Sequence, residues 1–507
     1  MTNEASASDK APDMKLFIAC VVALTSTSFG FILRALTLPQ WGGEFNLSNT
    51  QIGEIAGVGL WPFAISIVLF SLIIDRVGYK NAMMFAFFCH ATSAVLTLFA
   101  TGYYSLYIAT FIVALGNGTV EAVINPVVAT AFAKDKTKWL NILHSGWPVG
   151  LVLGGILALI LGPETSWKLK MVLILLPTVT YGILMFPRKF PVNERVQAGV
   201  SYLDMLREAG IGGMAVVATL VIFQIGSIFA WSNTINLVIT GVVLGIFGFY
   251  VRSFGQPIFV LLLLLMIPLA TTELGTDSWI SDLMAPEMKV IGLQAGWILV
   301  YTSAIMAVLR LFAGEITHRI SPLGLLAVSS TIACAGLLML SASTGIMVLV
   351  AATLFALGKT FFWPTMLGVV SEQFPKGGAL TINITGGVGM IAAGVIGAVI
   401  LGFVQDKEID AKLDQYDREH STSLHASYAT ISHHSIFGEY QGLDYTKLSA
   451  APDEERSTVQ GIQESAKKSA LKTVAIFPVI MLVTYVILIL YFHSNGGYKA
   501  VDILHQT

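Results

Sequence analysis

The chain has 507 residues, 55% of them hydrophobic and 12% charged, with a formal net charge of −2. Soluble globular domains carry about 25% charged residues, so half that level excludes an ordinary water-covered surface. The near-neutral balance gives no electrostatic footprint for a nucleic-acid partner.

Residues 1–14 are polar and read as a disordered cytoplasmic N-terminus. The first apolar run, 16–38, is too long for a signal-peptide core and has no cleavage site, so it is expected to remain as a membrane helix. Further runs follow at 51–74, 82–101, 104–132, 139–162 and 168–187, then at 211–231 and 234–251. The last six are at 256–282, 291–316, 322–342, 346–371, 379–404 and 471–493, which makes 14 candidate spans. Runs of about 20 apolar residues cross a bilayer as helices, because lipid offers the backbone no hydrogen-bond partner. The fold class is therefore all-α membrane; the alternating segments of a β-barrel are not seen. The expected domains are a six-helix bundle over 15–190, a linker over 191–253 and a second six-helix bundle over 254–495, followed by a cytoplasmic tail over 496–507. The linker holds an amphipathic helix around Asp204, Arg207 and Glu208 and two extra central spans.

Basic residues in the short loops orient the chain. Arg76, Lys80, Lys134, Lys136, Lys138, Arg188, Lys189, Arg195, Arg252, His318, Arg319 and Lys376 fall on one side, and the opposite short loops are nearly free of them. The basic side is expected to be cytoplasmic, with both termini there and the protein in the cell's inner membrane. The long polar loop 405–467 then lies outside, where such length implies function or disorder. Its His420, His425, His433 and His434 fit no tight metal spacing. Cys20, Cys89 and Cys334 sit in apolar runs and read as filler.

An internal repeat links the halves. Ala114-Leu115-Gly116-Asn117 is matched by Ala356-Leu357-Gly358-Lys359; each precedes a proline, Pro126 or Pro364, and a Gly-rich span. After the second span the chain reads Ser71, then Asp75-Arg76, Gly78 and Lys80, with Tyr79 between them; a weaker copy reads Gly314, then His318-Arg319. This resembles the signature loop of the major facilitator superfamily, with Ser71 and Tyr79 departing from its Gly and Arg. The resemblance implies the major facilitator fold, two six-helix bundles plus the two extra central helices. It also implies a gating latch at Asp75, Arg76, Gly78, Lys80, His318 and Arg319, where a carboxylate can pair with an arginine or a helix N-terminus.

Glu121 in a Gly-rich fourth span, then Asn125-Pro126, then Leu140-Asn141, His144 and Trp147 resemble the fucose:proton symporter branch, as do Leu38-Pro39-Gln40 and Glu273…Trp279. That resemblance implies sugar–proton symport with Glu121 carrying the proton. The branch's acid before Leu-Pro-Gln is missing here, where the chain reads Arg34-Ala35, so a mechanism needing two acids in that half does not carry over.

Ionisable groups inside a bilayer cost several kcal/mol unless paired or hydrated, which makes each a candidate. Arg34, Glu121, Glu273, Asp277 and Lys359 lie within apolar spans. Glu273 and Asp277 are one turn apart on one face, facing either a central cavity or outer water. Lys359 or Arg34 could hold Glu121's charge. Asn125, Asn141, His144, Trp147 and Trp279 are further candidates for solute binding, and Trp363, four residues beyond Lys359, is the better ring-stacking candidate. Arg310 reads as structural. The expectation is a monomeric transporter of a small polar solute, a sugar or sugar derivative, in the lipid bilayer. It needs no cofactor beyond a proton gradient, sodium being the other candidate ion. The rival within the fold is an organic-anion transporter or exchanger; the rival of another class is a membrane sensor using the outer loop.

Overall fold

The computed structural model describes residues 12–47, 49–162, 164–435 and 438–503. Most of the expected N-terminal segment 1–14, the last four residues of the expected tail, and the side chains of His433 and His434 lie outside the described part.

The apolar runs fold as helices. The first half holds α1 (Met14–Leu38), α2 (Gln51–Val77), α3 (Tyr79–Leu98), α4 (Tyr103–Ala131), α5 (Lys136–Leu161) and α6 (Trp167–Met185). α7 (Tyr202–Ile228) and α8 (Asn233–Val251) follow, then α9 (Pro257–Leu283). Next come α10 (Trp297–Leu311), α11 (Pro322–Ala342) and α12 (Met347–Gln373). The chain closes with α13 (Gly378–Ile391), α14 (Ala398–His420), α15 (Asp453–Val474) and α16 (Ile476–Ser494). Twelve of the described helices are long and apolar enough to cross a membrane.

Two expected spans differ from that simple form. α10 is 15 residues rather than a full 291–316 run. At 1.5 Å per residue it covers about 22 Å of a hydrocarbon core about 30 Å thick. Its expected start is lost to Gly292, whose φ of 75° ends the preceding helical turn. The expected 379–404 span is α13, joined through a π-helical turn, Ala392–Gly397, to α14.

The linker pair packs on the flank of the second half. α7 lies against α13 and α9, and α8 lies against α7. α7 breaks at Gly210, with φ 58° and ψ −170°. A Cβ there would stand 2.1 Å from the Gly255 nitrogen, and one on Gly255 would stand 2.2 Å from the Ala209 carbonyl oxygen. Only two glycines permit this approach. It lets Ile211 and Gly212 donate to the Ser253 and Phe254 carbonyls, both at 2.9 Å, which replaces helix bonds lost at the break.

Among the described residues, the long polar segment 405–467 is folded, not disordered. α14 and α15 run beside each other and support a hairpin of Ile431–Ser435 against Gly438–Gly442. Ile409, Leu413, Leu424, Tyr428, Leu443, Leu448 and Val459 bury a separate small core there. Asp417 ties it together by accepting from Thr422 Oγ1 (2.6 Å), the Leu424 nitrogen (2.8 Å) and the His425 nitrogen (2.8 Å). Partial burial acts against the Asp417 charge, but these donors hold its carboxyl below the usual range. His425 bonds to Asp410 at 2.6 Å.

Candidate functional site

Three helix irregularities bring the buried charges together. α9 contains Pro268, which has no N–H for the helix ladder, and three residues later the helix widens into a π turn, Thr271–Gly275. Glu273 sits on that turn. Gly275 faces Gly397 of the second π turn so closely that an added Cβ would be 3.1 Å from its Cα. α5 breaks at His144–Ser145, between Lys136–Leu143 and Gly146–Leu161. α12 breaks at Thr360–Phe361, between Met347–Lys359 and Phe362–Gln373.

Prolines explain the last two breaks and what fills them. Pro148 and Pro364 cannot donate to the carbonyls four residues back, those of His144 and Thr360. Arg310 on α10 takes both. Its Nη1 donates to the His144 oxygen at 2.9 Å and its Nε to the Thr360 oxygen at 2.7 Å. Its Nη2 donates to Glu273 Oε1 at 2.9 Å, and the side chains of Arg310 and Glu273 are 1% and 3% exposed. The second Glu273 oxygen accepts from the Trp363 nitrogen at 3.2 Å. Arg310, expected to be structural at the end of its helix, is thus the centre of the molecule's buried polar network. Sequence reasoning could have found it by asking which side chain satisfies carbonyls that prolines free.

The same rule operates on α4. This helix continues through Pro126, which leaves the Ala122 carbonyl without its ladder donor, and Asn383 of α13 donates to it at 2.9 Å. The Pro126 site is therefore a bridge between α4 and α13. Asn125 donates to Glu121 Oε2 at 3.4 Å, and its Oδ1 lies 3.0 Å from His144 Nε2. With the Asn125 amide oriented that way, His144 carries its proton on Nε2.

A cavity of about 20 Å³ lies where these groups meet, lined by Glu121, His144, Trp147, Glu273, Arg310 and Trp363 among others. Room for about one water is too little for an organic solute, so this is the closed form of the site. The indole Nε1 of Trp363 is buried there with no hydrogen-bond partner. Gly389 makes room for that ring, since a Cβ on it would be 2.7 Å from the indole. Trp147 tilts against Phe31 with ring centroids 6.1 Å apart. Beside the cavity Lys359, wholly buried, pairs with Asp277.

Of the residues expected in the site, Glu121, Asn125, His144, Trp147, Glu273 and Trp363 converge, with Lys359 and Asp277 adjoining. Lys359 pairs with Asp277 rather than neutralising Glu121. Asn141 lies nearer the basic side and donates to the Thr137 oxygen (2.9 Å) and to Thr365 Oγ1 (3.1 Å). Trp279 lines a separate cavity of about 560 Å³ beside the 405–467 unit. Arg34 points into the first bundle, where its Nη2 donates to Ser93 Oγ at 2.9 Å.

On the basic side the halves are shut. Asp75 pairs with Arg195 at 2.5 Å, while Arg76 turns over the Tyr202 ring at 5.6 Å. Gly78 caps its helix with φ 83°. Lys80, His318 and Arg319 lie at the exposed surface of that side. Further contacts on this side join partners that the sequence did not pair. Lys136 pairs with Glu194 at 2.6 Å and donates to the Ser371 oxygen at 3.2 Å. Glu372 accepts from the Thr137 hydroxyl (2.5 Å) and nitrogen (3.2 Å). Gly368 allows this approach, since a Cβ there would be 2.3 Å from Thr137 Oγ1. None of these partners shares a motif, so only the fold reveals them.

The chain is similar to several known proteins. The chain is 26% identical over 159 residues to the gentisate transporter of Corynebacterium glutamicum, a match covering 31% of this chain and 36% of that one. It is 23% identical over 417 residues to the hexuronate transporter of Bacillus subtilis, covering 79% of this chain and 89% of the other. The first of these matches thus spans little more than a third of the relative's length. A crystal structure of the E. coli fucose:proton symporter superposes with a TM-score of 0.56 at 17% identity, over 92% of this chain and 98% of that one. The Major Facilitator Superfamily family model matches residues 16–398. The chain therefore belongs to the major facilitator superfamily.

Proposed function

We propose that this protein moves a small organic anion, a carboxylate on a hydroxylated or aromatic skeleton, by alternating access coupled to protons. One observation carries this reading: both buried cations of the site are each held by one carboxylate, and a third carboxylate has no cation. Arg310 is paired with Glu273 and Lys359 with Asp277, whereas Glu121 is held by Asn125 alone. A solute carboxylate entering the site takes the place of Glu273 or Asp277 on its cation. The displaced acid then needs a proton, because an unpaired charge inside the membrane costs several kcal/mol. That proton comes from the aqueous side, and Glu121, which lines the same cavity as Arg310 and has no paired cation among the described residues, is the relay that carries it in and is reprotonated from water. Gentisate and hexuronate, for which two relatives are named, are both carboxylates. The second reading, a neutral sugar, is favoured by the two indoles, Trp147 and Trp363, that line the cavity.

The topology that serves this function has 14 crossings: the twelve long spans, α10, and the α13 helix with its π turn. The basic side and both termini face the cytoplasm, in the inner membrane of a cell. α7 and α8 support the second bundle from its flank.

Counterflow in proteoliposomes loaded with sugars, uronates or aromatic acids tests the proposal. Saturable exchange of carboxylates, with Glu121→Gln losing pH-driven accumulation while retaining exchange, is the expected result. Transport confined to neutral sugars overturns the anion reading, and unchanged pH-driven accumulation in Glu121→Gln overturns the coupling role.

A further inference from the structure

Arg34 is a buried charge that the central site does not use. It lies within α1, is 7% exposed, and among the described residues no carboxylate pairs with it. Its one acceptor is the Ser93 hydroxyl, which is neutral and itself donates to the Ala109 oxygen at 2.5 Å. The Nε and Nη1 atoms, which carry one and two of the five guanidinium N–H donors, are buried and reach no acceptor. A guanidinium cannot shed its proton to escape this.

A second unmet group lies on the same side of α3. His90 is three residues before Ser93 and therefore on the same helix face. It is 3% exposed; its Nδ1 is 3.2 Å from the Tyr181 hydroxyl, and its Nε2, with the Asn117 amide beside the ring, makes no well-aligned hydrogen bond. α4 closes the space from behind at Gly116, where an added Cβ would be 2.7 Å from the His90 ring. The first bundle thus holds an uncompensated cation and an imidazole nitrogen without a well-aligned hydrogen bond on one internal face, walled by α1, α3, α4 and α6.

We infer that this is a binding site for a small monovalent inorganic anion of chloride size, held by Arg34 with Ser93 and His90 inside the first bundle. A bare anion supplies the missing negative charge and accepts several N–H bonds at once, whereas water supplies no charge. Arg34 offers a single positive charge, so a divalent oxyanion such as sulfate would bring an unmatched charge into the bundle. The anion is structural ballast for the first bundle, distinct from the solute site around Arg310. The inference does not depend on the identity of the transported solute.

The test uses the full-length protein purified in detergent, first exchanged into gluconate buffer. Unfolding temperature is followed as chloride, bromide or sulfate is added at constant ionic strength. The expected result is a saturable rise with chloride and bromide, none with sulfate, and loss of the halide response in Arg34→Gln. Anomalous diffraction from bromide-soaked crystals of the unaltered protein needs no variant to fold, and is expected to show a peak beside Arg34. No halide response in the unaltered protein, an equal response in Arg34→Gln, or a bromide peak at Arg310 or Lys359 with none at Arg34 would each overturn the inference.

Discussion

Arg310 donates to three acceptors on three segments, the His144 and Thr360 carbonyls and Glu273. A planar guanidinium with a fixed fork of donors can span these; the compact ammonium of lysine cannot. Each hydrogen bond to a charged group contributes about 1.5–3 kcal/mol. Arg310→Lys is therefore expected to lower the unfolding temperature and to cut transport at least tenfold, even though the charge is kept. Full transport in that variant would show that the charge alone matters. Trp363 offers a finer probe. Its indole N–H is buried without a protein partner on a ring that lines the cavity, which makes it a candidate donor to the solute. Trp363→Phe keeps most of the ring and removes the donor. One neutral hydrogen bond is worth about 0.5–1.5 kcal/mol, so KM should rise by up to about tenfold with little change in maximal rate. An unchanged KM would assign the ring a packing role only.

Within helices, prolines set the pattern. Pro126, Pro148 and Pro364 each free a carbonyl in the middle of a span, where lipid-facing backbone would be left without a partner. Asn383 and Arg310 supply the partners across helix boundaries. These bonds tie α4 to α13, and α10 to α5 and α12. This gives a thermodynamic cycle. Asn383→Leu leaves the Ala122 carbonyl buried and unpaired, which costs about 1–3 kcal/mol, and the unfolding temperature should fall. Adding Pro126→Ala restores an N–H at the helix's own position and should recover most of the loss. Additive loss in the double variant would mean that Asn383 acts elsewhere. The repeat of Pro126 and Pro364 is visible in the sequence, and so is the Glu273–Asp277 spacing that puts both acids on one face. Which side chain answers each freed carbonyl is not, because the answer comes from helices 50 to 261 residues away, where local periodicity carries no information.

At the scale of the whole molecule, the basic side is closed by contacts that involve the chain's end. Tyr498 donates to Glu372 at 2.8 Å, Gln373 to the Lys499 carbonyl at 2.9 Å, and the Val501 nitrogen to the Glu372 carbonyl at 2.8 Å. Glu372 also holds Thr137 of the first half, so the tail braces the residue that locks the two bundles. Three such bonds, each worth about 0.5–1.5 kcal/mol net, bias the closed form by tenfold or more. Truncation after Gly497 should therefore widen the distance distribution between spin labels at Lys134 and Lys376; an identical distribution would refute the brace. The 405–467 unit has its own core and is tied to the end of α9 and the turn after it through Lys467–Asp282 at 2.9 Å and Lys468–Glu287 at 2.6 Å. Removing 410–465 should leave counterflow intact if the unit is ancillary. Loss of all counterflow in a variant that still inserts and folds would show that the unit is part of the transport path.

The sequence alone determined that the chain is helical and membrane-embedded, that it is built from two related halves, and that a few charged residues are stranded in apolar spans. Those properties are local or periodic: run length, charge count and a repeated motif depend on no distant contact. Only the tertiary structure decided which charges meet. It placed Arg310 at the centre, paired Lys359 with Asp277, turned Arg34 into the first bundle and folded the 405–467 segment. A buried charge adds its cost at its own position but is neutralised by whatever packing brings beside it, and packing is a property of the assembled bundle.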